Sequence, residues 1–340
     1  MDSVNLVAFA RKLIDIDSTT GIEGEVANVL AADLTALGYQ VTMQPLTDGR
    51  ANVIATIDDP VVVFSTHFDC VPKFFPSRIE NDRLHGRGSS DAKGILAAQV
   101  VAAERLRAKG ERRVGLLFVA GEERGSDGAL AANLVAPASV QYLINGEPTE
   151  NRLGAATRGV YRVKLTAHGR AAHSSRPDLG DSAIEKLLDV LVDLRSAPWP
   201  DDALLGRTHY TVGLISGGVA PNVIPALATA ELLFRSVGPE ADIHRVLEAS
   251  IGGRATIDHV LTVPPVTLKT LPGFATEVFW YTTDIPFLDH WGTPLLIGPG
   301  SVTEAHTKDE SVALAELAEA ADLYEKLAEA LLACPDPRYP

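Results

Sequence analysis

Cysteine is scarce: the 340 residues hold two, Cys70 and Cys334. A pair so far apart in sequence implies no disulfide framework. Clusters of basic residues are missing as well. Lys and Arg number 30 against 44 Asp and Glu, a formal charge of -14, which argues against a nucleic-acid partner because neutralising phosphates needs grouped cations. An acidic surface of this kind chiefly keeps a protein soluble. The opening stretch MDSVNLVAFARKLIDIDS has no basic start leading into a long apolar run. It reads as neither a signal peptide nor a membrane anchor, and the expectation is a cytoplasmic protein. Internal repeats and low-complexity tracts are not found.

What is present is a globular composition, 46% hydrophobic and 22% charged. The length exceeds the ~100 to 200 residues of one domain, so two domains are expected. Leu6, Phe9 and Leu13 share one face of an amphipathic helix, and helical spacing recurs at Val26, Leu30, Leu34 and Leu37 before Gly38 stops it. Short β-rich runs alternate with helices: VIATI (53–57), VVVF (61–64), a helix from about Gly94 to Lys109, VGLLFVA (114–120) and YLI (142–144). Continuous apolar strands are buried on both faces, which predicts a mixed, mostly parallel α/β sheet covered by helices. From Arg158 the pattern changes to alternating strands and helices in the order β-α-β-β-α-β. After Val266 the α/β pattern resumes, closing on a helix with Leu314, Leu317, Ala321, Tyr324, Leu327 and Leu331 at helical spacing. The expected division is a discontinuous core of residues 1–157 and 267–340, interrupted by an inserted α+β domain of residues 158–266.

Chemistry-bearing residues gather after the strands. His67 and Asp69 follow VVVF, Glu122 and Glu123 follow VGLLFVA, Glu147 follows YLI, and His306 lies a few residues beyond PLLIG. Asp91 sits in GRGSSDAKG, which opens a helix and does not match a P-loop, since Lys93 precedes Gly94. In open α/β sheets, ligands bind outside the carboxyl ends of the strands. Each residue also has a plain structural reading: a lone histidine that caps or hydrogen-bonds, an acid pair in a solvated loop, Asp91 as a helix cap. Their coincidence at successive strand ends favours a site. A mixed histidine and carboxylate set suits a borderline metal such as zinc. Three carboxylates, Asp91, Glu123 and Glu147, together with a hydroxide balance two Zn²⁺ ions. Of the adjacent Glu122 and Glu123, one can ligate while the other moves the water's proton. Asp69 is placed to hold the far nitrogen of His67.

The ordered set STHFDCVP, GRGSSDAKG, GEE, GEPT, AHSSRPDLG, PNVIP, FRS and GPGSVTEAH resembles the di-zinc metallopeptidase family that contains acetylornithine deacetylase, succinyl-diaminopimelate desuccinylase, aminoacylase and glutamate carboxypeptidase. The resemblance spans nearly the whole chain, and AHSSRPDLG with GEPT is most similar to the acetylornithine deacetylase branch. It implies two zinc ions, with cobalt able to substitute, bridged by Asp91. His67 and Glu147 complete one site, Glu123 and His306 the other, and Glu122 is the general acid/base. The inserted segment becomes a lid and homodimerisation domain. Within it, His173 reaches the scissile carbonyl across the dimer, and Arg235 and Asn222 bind the substrate's carboxylate. The implied activity is removal of an N-acyl group from an amino acid, N-acetylornithine above all, as in arginine biosynthesis. A desuccinylase, a dipeptidase or carboxypeptidase, a hydrolase of carrier-protein-linked amino acids, and a non-catalytic amino-acid binding protein are the alternatives. Two departures stand out. Cys70 replaces a small or β-branched residue, and the stretch between CVP and GRG is trimmed.

Overall fold

The computed structural model describes residues 4–333 and divides into two compact units. The first comprises Met1–Ala155, Leu268–Glu277 and Thr283–Pro340, the second Ala156–Thr267 and Val278–Thr282. Residues 278–282 thus join the second unit in an excursion too short to carry a sequence pattern. Cys334 lies outside the described residues.

In the first unit, six strands form a sheet in the order Gln40–Pro45, Ala51–Thr56, Val114–Val119, Val62–His67, Tyr142–Asn145, Thr293–Leu296. Val62–His67 runs parallel to both neighbours, and Tyr142–Asn145 runs parallel to Thr293–Leu296. The two pairings made by Ala51–Thr56 are antiparallel. The sheet is therefore mixed and mostly parallel, as the unbroken apolar runs predict. Side chains of a strand alternate between faces, and here the two faces lie in different cores. Phe64 packs with Ile95, Val100, Leu317, Tyr324 and Leu327 of the helices Lys93–Ala108 and Leu314–Ala333. Val63 packs instead with Leu117, Leu143, Leu288 and Trp291.

The apolar run 61–64 suggests a strand that stops at Phe64. The strand actually continues through Ser65 and Thr66 to His67, every residue buried. Thr66 and His67 stay in register with Phe118 and Val119 of the parallel neighbour, and the Thr66 hydroxyl donates to the Gly146 carbonyl at 2.7 Å. Pairing on both sides carries the polar segment into the core, so His67 is the last residue of a central strand.

The second unit is a four-stranded antiparallel sheet, ordered His209–Gly217, Leu227–Ser236, Gly159–His168, Thr256–Val263. Helices Ala183–Arg195 and Glu240–Ile251 supply Leu187, Val190, Leu194, Ile243 and Leu247 to a core with Val163, Leu165, Leu232 and Phe234. Leu227–Ser236 alternates buried and half-buried positions because one sheet face is covered. Its neighbour His209–Gly217 is a sheet edge, with Leu214 62% and Ile215 58% exposed.

Gly94 shows how closely the Asp91 loop is packed on its helix. A Cβ there would lie 2.1 Å from the Ser89 carbonyl oxygen and 3.2 Å from a Leu317 methyl group. Gly94→Ala should lower stability by about 1–3 kcal/mol, as overpacking typically does. A fall in the urea midpoint measures it, and an unchanged midpoint would contradict the packing described.

Candidate metal centre

The strand ends of the first unit bring the titratable residues together. His67 ends its strand, and its Nε2 lies 2.9 Å from Asp91 Oδ1. His306 Nε2 lies 3.2 Å from Asp91 Oδ2 and 2.8 Å from Glu123 Oε1. The Asp91 carboxylate therefore stands between two imidazoles and offers one oxygen to each. His67, Asp91 and Glu123 each present a ligand atom, and these three atoms lie within 4.8 Å of one another. Glu147, two residues past Tyr142–Asn145, is buried and close enough for His67, Glu122 and Asp91 to act on its charge. It does not belong to that close trio.

Local backbone aims these groups. Gly121 has φ +82°, and a Cβ there would meet the Asp127 carboxylate at 2.0 Å. Only glycine admits this tight turn from Val114–Val119 into the short helix Glu122–Arg124. His306 holds φ +64°, a left-handed conformation that costs a non-glycine residue about 1–3 kcal/mol and persists where the surroundings impose it.

Asp69 does more than the expected task of orienting His67. The closest partner of His67 Nδ1 is the backbone carbonyl of Asp69 at 3.0 Å, with the carboxylate Oδ1 at 3.4 Å. The Asp69 carboxylate also accepts the backbone N–H groups of Glu122 and Glu123, each at 3.1 Å, and the Thr20 hydroxyl at 2.9 Å. One fully buried acid thus positions a histidine and the two-glutamate turn together. Thr20 is legible only through this contact.

Charge sorts the acids into two kinds. Burial pushes Glu122 and Glu147 well above the carboxylate range against the pull of His67, and it raises Glu123 despite the hydrogen bond from His306. Burial would also raise Asp69 and Asp91, but hydrogen bonds from His67 to both, and from His306 to Asp91, hold them below the usual value. Burial opposes a charge on His67, yet Asp69 and Asp91 keep its pKa well above the ordinary one. Asp91 and Glu123 push His306 up to about 10. Asp284, an isolated acid in TTDIP, carries no motif in the sequence. Burial pushes it up to about 7, and its charge acts on Glu122 and Glu147. Cys70, pushed up to about 12 by burial, remains a free thiol.

The remaining expected residues lie in the second unit. His173 is exposed and pairs with Val223, and its Nδ1 is 2.9 Å from the Ser175 hydroxyl. Asn222, beside it, accepts the Ser174 N–H through its backbone carbonyl. Arg235 lies opposite Val160 and His209, near the far end of Leu227–Ser236. The eight steps from Leu227 to Arg235 span about 26 Å at the usual strand rise. Asn222 precedes that strand, so it and Arg235 lie toward opposite ends of it. Next to Arg235 is an unforeseen cation, Arg158. It is buried, stacked 4.4 Å over the Trp280 ring and bonded to His209 Nδ1 at 2.7 Å. Burial, Arg158 and Arg235 together lower the pKa of His209.

The clustered histidines and carboxylates at the rim of a mostly parallel sheet could hold a metal ion. Residues 63–330 match the description of Peptidase family M20/M25/M40, and the chain belongs to that family. It is 37% identical to a Peptidase M20 domain-containing protein of Schizosaccharomyces pombe, over 95% of this chain and 84% of the relative. It is 34% identical to a probable carboxypeptidase of Aspergillus clavatus, over 96% of this chain and 82% of that protein. The crystal structure of aminopeptidase PepT from Bacillus cereus superposes with a TM-score of 0.81 at 21% identity, covering 96% of this chain and 98% of that one. At that identity the likeness is one of fold. Among the described residues, no helix is long and apolar enough to cross a membrane.

Asp69→Asn keeps the size of the side chain and replaces one accepting oxygen with an amide that cannot accept an N–H. Metal affinity or turnover should fall about 10- to 100-fold, the usual effect of losing a partner behind a ligand. Equilibrium dialysis and steady-state kinetics measure it, and unchanged values would remove Asp69 from the positioning role.

Proposed function

We propose that this protein is a metal-dependent hydrolase of the amide bond next to a terminal amino acid, acting on substrates of the form acyl–NH–CH(R)–COO⁻. The Asp91 carboxylate, shared between two imidazoles, carries this reading, because an acid offering one oxygen to each side suits a pair of cations. The donor set fits: imidazole nitrogens and carboxylate oxygens suit zinc, with cobalt as a substitute, and no thiolate is needed. His67 and Glu147 would hold one ion, Glu123 and His306 the other, and Asp91 both. When bound, such a pair supplies Lewis acidity toward the substrate's carbonyl oxygen and acidifies a water.

The chain's own groups account for the rest. Glu122, kept by burial above the carboxylate range, is suited to accept the water's proton and return it to the leaving amine nitrogen. Arg235, whose guanidinium pairs with no acid among the described contacts, is suited to bind the substrate's carboxylate in a two-pronged contact. His173 would polarise the carbonyl, and Asn222 would assist, from a second copy of the chain. Two observations support a homodimer formed through the second unit: Asn222 lies before the strand Leu227–Ser236 and Arg235 near its far end, and the edge strand His209–Gly217 exposes Val212, Leu214 and Ile215 and is open to pairing.

Within this substrate class, AHSSRPDLG and GEPT favour N-acetylornithine, while the relatives named probable carboxypeptidase favour a short peptide cut at its last residue. Both reactions break the same bond and differ only in the acyl side. Zinc-supplied enzyme tested on N-acetylornithine, other N-acetyl amino acids, N-succinyl-diaminopimelate and dipeptides should hydrolyse at least one of them. Silence on the whole panel would overturn the reading.

Glu122→Gln should keep its zinc and lose turnover by about a hundredfold or more, whereas near-wild-type activity would clear Glu122 of the proton-transfer role. The active species should have the mass of a dimer in light scattering. A monomer with full activity would exclude His173 acting in trans.

A further inference from the structure

Glu310 lies four residues after His306 and is 0% exposed. Its Oε1 accepts three backbone N–H groups, from Gly88 at 3.0 Å and from Ser90 and Asp91 at 3.1 Å each. Its Oε2 accepts from the Arg87 guanidinium. The Glu310 backbone carbonyl takes the N–H of Gly86 at 3.2 Å. The two other donors of the segment are satisfied elsewhere, Arg87 by the Phe75 carbonyl at 3.1 Å and Ser89 by the Gly86 carbonyl at 3.0 Å. Every N–H from Gly86 to Asp91 is thus accounted for, four of the six by Glu310 alone. A buried loop outside helix and sheet needs such an accounting, and a carboxylate is the strongest acceptor the chain can supply for it.

We propose that Glu310 is a positioning residue that organises the metal centre before any ion arrives. Its carboxylate takes the place of secondary structure in the loop that carries Asp91. Because Glu310 belongs to the segment that carries His306, the same contacts tie the two ligands to each other. The clamp consists of protein groups only, so the ligand geometry does not depend on an ion to assemble it. This inference rests on the reading of Asp91 and His306 as ligands. It adds that their placement is set by a residue that touches neither ion nor substrate.

The test is zinc affinity, measured by chelator competition on folded protein, for wild type, Glu310→Gln, Arg87→Gln and Asp91→Asn. In Glu310→Gln the amide NH₂ faces Arg87 and the charge that holds the three N–H groups is gone, so affinity should fall about 10- to 100-fold. Arg87→Gln leaves the three bonds to Oε1 in place and should cost less than about a third of that loss. If Glu310→Gln keeps wild-type affinity while Asp91→Asn loses it, the positioning role is wrong and the ligand reading stands. If Asp91→Asn also binds zinc like wild type, the ligand reading falls and takes the role of Glu310 with it. Equal losses in Glu310→Gln and Arg87→Gln would assign the effect to the ion pair and overturn the clamp.

Should Glu310→Gln fail to fold, hydrogen exchange on wild type decides. Segment 86–92 should be protected in metal-free protein, and zinc should change its exchange by less than about twofold. A segment that exchanges like open chain until zinc is added would overturn the inference.

Discussion

Six carboxyl groups, those of Asp69, Asp91, Glu122, Glu123, Glu147 and Asp284, share a largely buried region with only two imidazoles. Like charges taken out of water disfavour one another's ionisation, so such a set is stable only if the protein separates its members chemically or a cation joins them. The structure does the first. Asp69 and Asp91 are claimed by histidines and backbone N–H groups and lie low, while Glu122, Glu123, Glu147 and Asp284 lie high. Hydrogen bonds from the histidines set the low pair apart, and burial raises the other four.

The sheet makes this concentration possible. Three neighbouring strands, Val114–Val119, Val62–His67 and Tyr142–Asn145, run parallel, so their carboxyl ends open on the same rim. The residues that follow them are polar because the rim is the one place on a doubly covered sheet where polar groups meet a ligand. Behind the rim, Asp69 and Glu310 perform parallel duties. Each is a fully buried acid whose oxygens collect backbone N–H groups from a loop that bears a metal-ligand candidate, Glu123 in one case and Asp91 in the other. Such loops have no ladder of their own, and a carboxylate supplies one.

The second unit follows a different logic. Its chemistry-bearing residues are spread along a strand, with Asn222 and His173 beyond one end and Arg235 near the other. Spread residues of this kind have no common focus within one chain, in contrast to the convergent rim of the first unit. Arg158, buried beside Trp280 and His209, spends its guanidinium on His209 and on the Leu205 and Arg207 carbonyls.

The identity of the elements was decided locally. Period-two and helical spacing marked the strands, the helices and the change of pattern near Arg158, and the acids and histidines after apolar runs marked the rim, because these signals act over a few residues. His67, Glu122, Glu123, Glu147 and His306 were legible for that reason, and Asp91 from the Gly-rich segment that opens a helix. The extension of the central strand past Phe64 was not, since hydrogen bonding to Phe118 and Val119 overrode a polar sequence. Nor were the three bonds of Glu310, which cross 219 to 222 positions, or the separation of Arg235 from Asn222. A backbone N–H gives no sign in the sequence of which distant acid will accept it, and the distance between two residues is set only once the strands have paired.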